Sequence, residues 1–237
     1  MGAEVKSGRC ILFCGRPVEE ADLLGLVRQP GDLVIGADGG FFTARRLGFS
    51  PDLAIGDFDS APMPEPEANL EVHPAHKDET DCILGVDAGL ARGFTRFIIL
   101  GGTGGRLDHT VANLQTLRYL CERGARGELR ERDCWARVIQ DETLELRRGA
   151  YLGEGAYLSL FAMSGECRVT ETGVEYPLED YPLSGAYPLG VSNHIRDTAR
   201  ITAQGTLLVM LCRECMSSFS SCERRKRSKK KNGQSEQ

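Results

Sequence analysis

Four polar or glycine-rich segments carry the residues that could do chemistry, and each borders a predicted strand or helix. They are Asp38-Gly39-Gly40, residues 56–60, residues 77–81 and residues 101–109. In an open parallel sheet, ligands bind where the carboxyl ends of the strands meet. We therefore expect the four segments to converge on one site.

Asp57 and Asp59 are two residues apart, so in an extended chain their carboxylates would point the same way. They would repel each other unless a cation lay between them. Mg²⁺ prefers carboxylate oxygens and takes water and phosphate as its other ligands. In a solvated loop each Asp could instead cap a turn, and the spacing alone leaves both interpretations open.

Asp78 and Asp81 lie three residues apart at the start of a predicted helix, so they share a face. An Asp in the first helical turn also complements the helix dipole, and Asp78 could be an N-cap. Lys77 stands just before them. A cation beside carboxylates near a helix N-terminus suits a phosphate and a metal ion.

The segment Gly101-Gly102-Thr103-Gly104-Gly105-Arg106 follows a predicted strand and precedes a helix. Glycines let backbone N–H groups approach phosphate oxygens closely. The segment matches neither the Walker A loop nor Gly-x-Gly-x-x-Gly. Arg106 could bind a phosphate with two hydrogen bonds, whereas Asp108 and His109 could simply cap the helix. Together the segments predict Mg²⁺-dependent phosphoryl or nucleotidyl transfer.

Hydrophobic runs alternate with helical patterns in the first half of the chain, which predicts a mostly parallel sheet covered by helices. Strands are predicted over residues 10–14, 33–37, 53–55 and 97–100, and helices over 18–28, 41–47, 80–91 and 107–121. Beyond about residue 130, short β-type runs separated by Gly and Pro predict an antiparallel β-sandwich. These runs cover residues 135–139, 143–146, 156–161, 167–169 and 207–211.

This pattern predicts three parts, with the first boundary in the polar stretch 123–132. An α/β domain over residues 1–128 would bind nucleotide and metal, a β-sandwich would cover 129–216, and a basic tail would cover 217–237. Residues 224–237 carry a net charge of +6 and the remainder −11, which gives the total of −5. We expect a dispensable, solvated tail and no nucleic-acid partner, because the body is acidic.

Composition indicates the cellular compartment in which the protein is expected. The 237 residues include no apolar run long enough to span a bilayer, the longest being residues 207–212, so no membrane association is expected. The nine cysteines are odd in number and no secretory signal is recognisable, so we expect reduced thiols in the cytoplasm. Cys212 and Cys215 form a lone Cys-x-x-Cys pair, which is insufficient for a zinc ribbon.

The order and spacing of the motifs resemble the thiamine pyrophosphokinase family. The resemblance rests on Ala37-Asp38-Gly39-Gly40, residues 51–60, residues 77–81, residues 104–109 and Gly190-Val191-Ser192-Asn193. The runs Gly-Asp-Phe-Asp-Ser and Gly-Gly-Arg-Leu-Asp-His are the most specific. The family transfers the β,γ-pyrophosphoryl group of ATP to the hydroxyl of thiamine and releases AMP. Its members are homodimers with an α/β domain followed by a β-sandwich.

The resemblance also implies roles for individual residues. Asp57, Asp59 and Asp81 would hold Mg²⁺, supported by Asp78 and Thr80. Lys77 and Arg106 would meet the phosphates, and Asp108 would orient either the nucleotide or Arg106. The remaining ATP contacts would come from Asp38, Gly39, Gly104, Gly105 and His109. Ser192 and Asn193 would line the thiamine pocket of the partner subunit.

Two other functions are compatible with the same motifs. One is a pyrophosphokinase that acts on another heteroaromatic alcohol, such as a pterin. The other is a non-catalytic nucleotide-binding regulator. The complete carboxylate set disfavours the regulator, because clustered carboxylates without a cation repel one another.

Overall fold

A nine-stranded sheet runs through the part of the chain that the structure describes. The structure is a computed structural model and describes residues 5–56, 70–72, 79–163 and 165–214. The parallel strands, in spatial order, are β4 (Leu70–Val72), β3 (Leu53–Gly56), β2 (Leu33–Ala37), β1 (Cys10–Phe13), β5 (Arg96–Leu100) and β6 (Arg126–Glu131). The sheet continues antiparallel through β7 (Cys134–Gln140), β13 (Thr206–Cys212) and β9 (Tyr157–Ala162).

A second sheet is antiparallel throughout. Its strands, in spatial order, are β11 (Leu178–Ser184), β10 (Glu166–Val174), β12 (Ile195–Gln204) and β8 (Thr143–Arg147). The helices described are α1 (Gly40–Arg46), α2 (Asp81–Ala91) and α3 (Leu107–Glu122), together with a 3₁₀ turn, Glu20–Leu23. The predicted fold class, an α/β part followed by an antiparallel β-sandwich, is confirmed.

Helices cover the parallel strands on both faces, which is why these strands are continuously hydrophobic. On one face Leu12 and Ile99 pack with Val86 of α2 and Leu117 of α3. On the other face Ile11 packs in a cluster with the 3₁₀ turn and α1. Every residue of β1 is buried as a result.

The sandwich shares a layer with the α/β part. Trp135 of β7 packs into the cluster that fills the sandwich, whereas Ala136 and Val138 of the same strand face the cluster that includes α3. One layer of the sandwich is therefore the continuation of the nine-stranded sheet. The predicted boundary at residue 128 falls inside β6, and the division into domains stays a prediction.

Several predicted elements are corrected by the structure. The helix predicted over residues 18–28 is wrong: only the 3₁₀ turn forms, because Leu24 (φ 49°) and Gly25 (φ 74°) are both left-handed. Residues 126–131 of the predicted polar boundary form β6, in which buried and more exposed side chains alternate. Strands β11 and β12 were not predicted, and β11 accommodates Pro182 because it lies at the edge of its sheet.

The cysteines among the described residues are free thiols. Across the described ranges, no helix has the length and apolar character needed to cross a membrane. Cys134 and Cys212 are free thiols that face each other across β7 and β13, with Sγ atoms 4.0 Å apart. Cys215 and the basic tail lie outside the described residues.

Candidate functional site

The parallel strands β1, β2, β3, β5 and β6 end at one edge of the large sheet, here called the carboxyl edge. The chain proceeds from β1 outward to β4 and then returns to place β5 on the other side of β1. The direction of the connections thus reverses between β1 and β5. Open α/β sheets bind ligands in the crevice at such a switch point.

Asp38 and Gly39 form a tight turn directly after β2, at the carboxyl edge. Asp38 is left-handed (φ 48°), and its backbone N–H donates to the carbonyl of Ile55 in β3 over 2.9 Å. Its carboxylate lies over Gly56, the last residue of β3. This turn therefore places a half-buried carboxylate beside the point from which the chain continues to Asp57.

Helix α2 begins at the predicted residues 80 and 81. Thr80 is the N-cap, and its hydroxyl accepts the Ile83 N–H over 3.4 Å. Asp81 occupies the first helical position and is half-buried. The next residue, Cys82, is buried in the same cluster as Cys14, which directly follows β1. A hydrogen bond with Cys82 and burial raise the pKa of the Cys14 thiol, and the Asp81 carboxylate raises it further. Asp81 is therefore at the carboxyl edge, near the switch point.

The glycine-rich loop, residues 101–105, connects β5 to α3. Its first part is buried and its second part, Gly104 and Gly105, is exposed. Gly101 is left-handed (φ 70°), and a Cβ there would lie 2.7 Å from the Arg16 carbonyl oxygen, so no larger residue fits. The loop thus packs against the chain that leaves β1, as expected for a loop at the switch point.

Arg106 and Asp108 form an exposed ion pair at the start of α3. Arg106 Nε donates to Asp108 Oδ1 over 3.1 Å, and Nη2 donates to Oδ2 over 2.5 Å. The hydrogen bond with Asp108 raises the pKa of Arg106, and the same bond lowers the pKa of Asp108. The His109 N–H also donates to Asp108 Oδ1, over 2.9 Å. The carboxylate therefore orients Arg106 and also accepts one N–H group of the first turn of α3.

Four predicted residues, Asp57, Asp59, Lys77 and Asp78, lie outside the described residues. Within the described ranges, no three His, Cys, Asp or Glu side chains are grouped so that they could hold a metal ion. Of the three predicted Mg²⁺ ligands, only Asp81 lies in the described part of the chain. The donor chemistry of the edge is nevertheless carboxylate oxygen, from Asp38 and Asp81, which suits a hard cation.

Ser192 and Asn193 differ sharply in environment. Ser192 is exposed and left-handed (φ 65°), and its N–H donates to Ser159 Oγ over 3.1 Å. Asn193 is buried, and its backbone pairs with Leu158 of β9. Its side-chain Nδ2 donates to Glu171 Oε2 (3.0 Å) and to the Tyr176 carbonyl (2.8 Å), and its Oδ1 accepts two backbone N–H groups. Asn193 therefore shapes the segment, whereas the Ser192 hydroxyl faces outward.

Comparison with known proteins agrees with this geometry. The thiamin pyrophosphokinase catalytic domain matches residues 26–126, and the vitamin B1 binding domain of thiamin pyrophosphokinase matches residues 142–208. The chain belongs to the thiamine pyrophosphokinase family. The first match includes the turn at Asp38, the start of α2 and the glycine-rich loop, and the second includes Ser192 and Asn193. The predicted family is confirmed.

Individual relatives support the assignment to the thiamine pyrophosphokinase family. The chain is 29% identical over 188 residues to the thiamine pyrophosphokinase of Bacillus subtilis (strain 168), which covers 75% of this chain and 86% of that protein. A crystal structure of thiamin pyrophosphokinase from Geobacillus thermodenitrificans superposes with a TM-score of 0.74 at 26% identity, covering 89% of this chain and all (100%) of that one. A crystal structure of the Bacillus subtilis enzyme gives a TM-score of 0.77 at 24% identity, over 87% and 100% of the two chains.

In this thiamine pyrophosphokinase family member, the predicted residues at the switch point and the pair Ser192 and Asn193 lie at the same edge of the sheet. They do not lie in one site. Strand β9 runs opposite to the parallel strands, so its first residues and the neighbouring Ser192 and Asn193 lie at the carboxyl edge. Between β5 and β9 stand β6, β7 and β13. Asn193 pairs with Leu158 on the side of β9 that faces away from β13, so five strand spacings of about 4.8 Å separate the groups by about 24 Å along the sheet. One chain does not bring them together.

Sequence reasoning missed three residues that organise the glycine-rich loop, namely Arg16, Asn113 and Glu131. Glu131 is the last residue of β6 and is fully buried (0% exposed). Its Oε1 accepts the N–H groups of Gly102 (2.9 Å) and Thr103 (3.3 Å), and its Oε2 accepts Arg16 Nη2 (3.2 Å). The buried Asn113 donates through Nδ2 to the Gly102 carbonyl over 2.8 Å.

Burial raises the pKa of Glu131 to about 7, although Arg16 and the two loop N–H groups lower it. The carboxylate of Asp22, which is itself buried, raises it further. Asp22 also lies 3.9 Å from Arg16 Nη2. The only sequence signal for this network is the polar stretch 123–132, which predicts a domain boundary.

A cavity of about 270 Å³ opens at the sandwich end of the molecule. Its lining comes from residues 147–150, 153, 155 and 156, from His194, Ile195 and Arg196, and from Leu211. Arg148, one of the residues in that lining, is held by Glu154 over 3.3 Å. None of the predicted site residues lines this cavity, although His194 directly follows Asn193.

Proposed function

We propose that this chain transfers the β,γ-pyrophosphoryl group of ATP to the hydroxyl of thiamine, giving thiamine diphosphate and AMP. The observation that carries the proposal is the convergence of Asp38, Asp81 and the glycine-rich loop at the switch point of the sheet. The matching vitamin B1 binding domain supports thiamine as the acceptor rather than a pterin. Nothing described favours a regulator without activity.

The reaction requires positioning and charge stabilisation more than covalent help from the protein. The thiamine hydroxyl oxygen attacks the β-phosphorus, the bond between that phosphorus and the oxygen bridging to the α-phosphate breaks, and AMP leaves with that oxygen. The hydroxyl proton passes to a carboxylate or to solvent. Arg106, oriented by Asp108, would offset the negative charge that spreads over the phosphate oxygens.

Mg²⁺ would be held by Asp57, Asp59 and Asp81. When bound, it would neutralise phosphate charge. Asp38 contributes a further carboxylate beside the start of the 57–59 segment. Lys77, Asp78 and Thr80 would complete the surroundings of the phosphates. Of these, Thr80 caps the helix that carries Asp81, so it positions that carboxylate.

A homodimer would supply the thiamine pocket. Within one chain, Ser192 lies beyond β9, five strand spacings or about 24 Å along the sheet from β5. The glycine-rich loop of one chain and Ser192 of its partner would meet if the dimer axis brought the two carboxyl edges together. Because ATP and reduced thiols are cytoplasmic, we propose that the enzyme acts in the cytoplasm.

The identity of the nucleotide product tests this function. The purified protein is incubated with ATP, Mg²⁺ and thiamine, and AMP and ADP are resolved by chromatography. We expect one AMP for each thiamine diphosphate formed, and no product after addition of EDTA. ADP as the main product would contradict pyrophosphoryl transfer and would indicate an ordinary kinase. Replacing thiamine with a pterin alcohol provides the control for acceptor identity.

A further inference from the structure

We propose that Glu131 is a positioning residue for the nucleotide: its buried carboxylate sets the glycine-rich loop and Arg16 in the arrangement that receives phosphate. The inference rests on the proposed function, because it takes the loop to be the phosphate-binding element. Nothing in the sequence motifs points to Glu131, which lies 29 residues from Gly102 and 115 residues from Arg16.

The geometry divides the loop into two halves with different roles. The N–H groups of Gly102 and Thr103 donate to Glu131 Oε1, so they are not available to a phosphate. The Gly102 carbonyl is held from the other side by Asn113 of α3. Gly102 is thus clamped between β6 and α3, and a Cβ there would lie 2.9 Å from Leu129 Cδ1.

The second half of the loop is where an anion can bind. Gly104 and Gly105 are exposed, and within the described part of the chain their N–H groups donate to no protein acceptor. They immediately precede α3, whose N-terminal end carries positive potential. Because Gly102 is held on both sides, it fixes the start of the segment that carries these two N–H groups.

Arg16 is the second element that Glu131 holds. Its guanidinium lies against Gly104: a Cβ on Gly104 would be 3.1 Å from Nη1 and 3.4 Å from Nε. Nη2 is bound by Glu131, whereas Nε is buried and has no hydrogen-bond partner among the described residues. A cation with an unused donor therefore stands beside the exposed half of the loop, where phosphate charge is expected.

The alternative is that Glu131 is only a structural group, whose loss would destabilise the protein without changing how it binds ATP. Glu131→Gln distinguishes the two. The amide keeps the size of the side chain and can still accept from Gly102, but it places an NH₂ group or an uncharged oxygen against Arg16. We expect Arg16 and the loop to lose their relative position in a folded protein.

The matched control is Glu128→Gln. Glu128 lies on the same strand and also pairs with an arginine, Arg130, over 2.7 Å. It contacts Trp135 rather than the loop. The same change of charge on the same strand therefore tests whether the effect belongs to the loop contact.

ATP binding is measured directly by calorimetry with Mg²⁺ present, alongside KM for ATP, KM for thiamine and kcat. We expect Glu131→Gln to raise the Kd and KM for ATP about tenfold, with KM for thiamine unchanged and with Glu128→Gln equal to wild type. Calorimetry separates this proposal from the proposed function, since ATP binding can be read even if no thiamine diphosphate forms.

Three outcomes would overturn the proposal. These are an ATP affinity of folded Glu131→Gln within twofold of wild type, an equal loss in Glu128→Gln, or a wild-type protein that binds no ATP. If Glu131→Gln does not fold, Asn113→Ala decides, because it releases the other side of Gly102. A selective rise in Kd for ATP in Asn113→Ala supports loop positioning, and an unchanged Kd contradicts it.

Discussion

The Oδ1 oxygen of Asp38 lies 1.8 Å from the position that a Cβ on Gly56 would occupy. Asp38 directly follows β2 and Gly56 ends the neighbouring strand β3, and the Asp38 N–H donates a hydrogen bond to the Ile55 carbonyl. The absence of a side chain at position 56 is therefore what lets the Asp38 carboxylate reach the chain just before Asp57. Two motifs that are separate in the sequence form one feature of the site.

Substituting Gly56 by Ala should displace the Asp38 carboxylate. The added Cβ and the backbone angle (φ 152°) both oppose it, and overpacking of this kind costs about 1 to 3 kcal/mol of unfolding free energy. We expect turnover to fall by at least about tenfold, because a reaction slows when catalytic groups are misplaced. Gly165→Ala is the control, since a Cβ there would meet nothing within 4 Å. Wild-type turnover in Gly56→Ala would show that the position of Asp38 does not matter.

Removing a predicted metal ligand should abolish turnover but not folding. Asp57→Asn and Asp59→Asn each withdraw one charge from the proposed Mg²⁺ site, and we expect kcat to fall by about a hundredfold or more. Circular dichroism checks the fold. Asp52→Asn is the control, because Asp52 lies at the opposite end of β3 and pairs with Arg28. Equal activity in wild type and both ligand variants would contradict metal binding by these residues.

Complementation between chains should reveal a site shared across the dimer. Ser192→Lys puts a cation beside the expected position of cationic thiamine, and it spares the buried Asn193. A Ser192→Lys chain and an Asp57→Asn chain should each be nearly inactive. After subunit exchange, about half of the dimers are mixed and each has one intact site, so about a quarter of wild-type activity should return. If mass measurement confirms exchange and no activity returns, the site belongs to one chain.

The stability of the protein should fall as the pH rises from about 5 to about 8. Burial raises the pKa of Glu171 to about 7, although the hydrogen bond from Asn193 lowers it. The folded protein therefore binds a proton that the unfolded chain, with an ordinary Glu pKa, has already lost, and this stabilisation disappears as the pH passes through 7. Burial acts in the same direction on Glu131.

Glu171→Gln should remove part of that decline, because the amide stays neutral at every pH. Urea unfolding is expected to give similar stability for both proteins at pH 5 and a more stable variant at pH 8, by about 3 kcal/mol at most. The decline of stability with pH that comes from Glu131 remains in the Glu171→Gln variant. Parallel curves for the two proteins across this range would show that Glu171 is ionised normally.

The parts of the site that could be predicted are those with local causes. The Asp-Gly-Gly turn and the glycine-rich loop were recognisable because a short segment contains both the backbone freedom and the polar groups that phosphate or metal requires. The hydrophobic runs of β1, β2 and β5 were equally clear, since a strand buried on both faces needs continuous apolar residues. Their ends then predicted where the site would lie.

The parts that could not be predicted depend on what packs against a residue from far along the chain. The stretch 126–131 has the charge of a solvated linker, yet it forms β6 because β5 and β7 pair with it on both sides. The side chain of Asn193 is buried because β10 supplies Glu171 as its partner. Neither β5 nor Glu171 is near its partner in sequence.

The sequence alone thus determined the family, the fold class and the motifs of the carboxyl edge, because these follow from local residue types and spacing. Only the tertiary structure decided that the glycine-rich loop is held by Glu131, that Asn193 is a buried framework residue, and that Ser192 lies beyond β9, five strand spacings from β5. The physical reason is that the burial of a polar group is set by its non-local neighbours. A buried carboxylate persists only where donors such as the Gly102 N–H meet it.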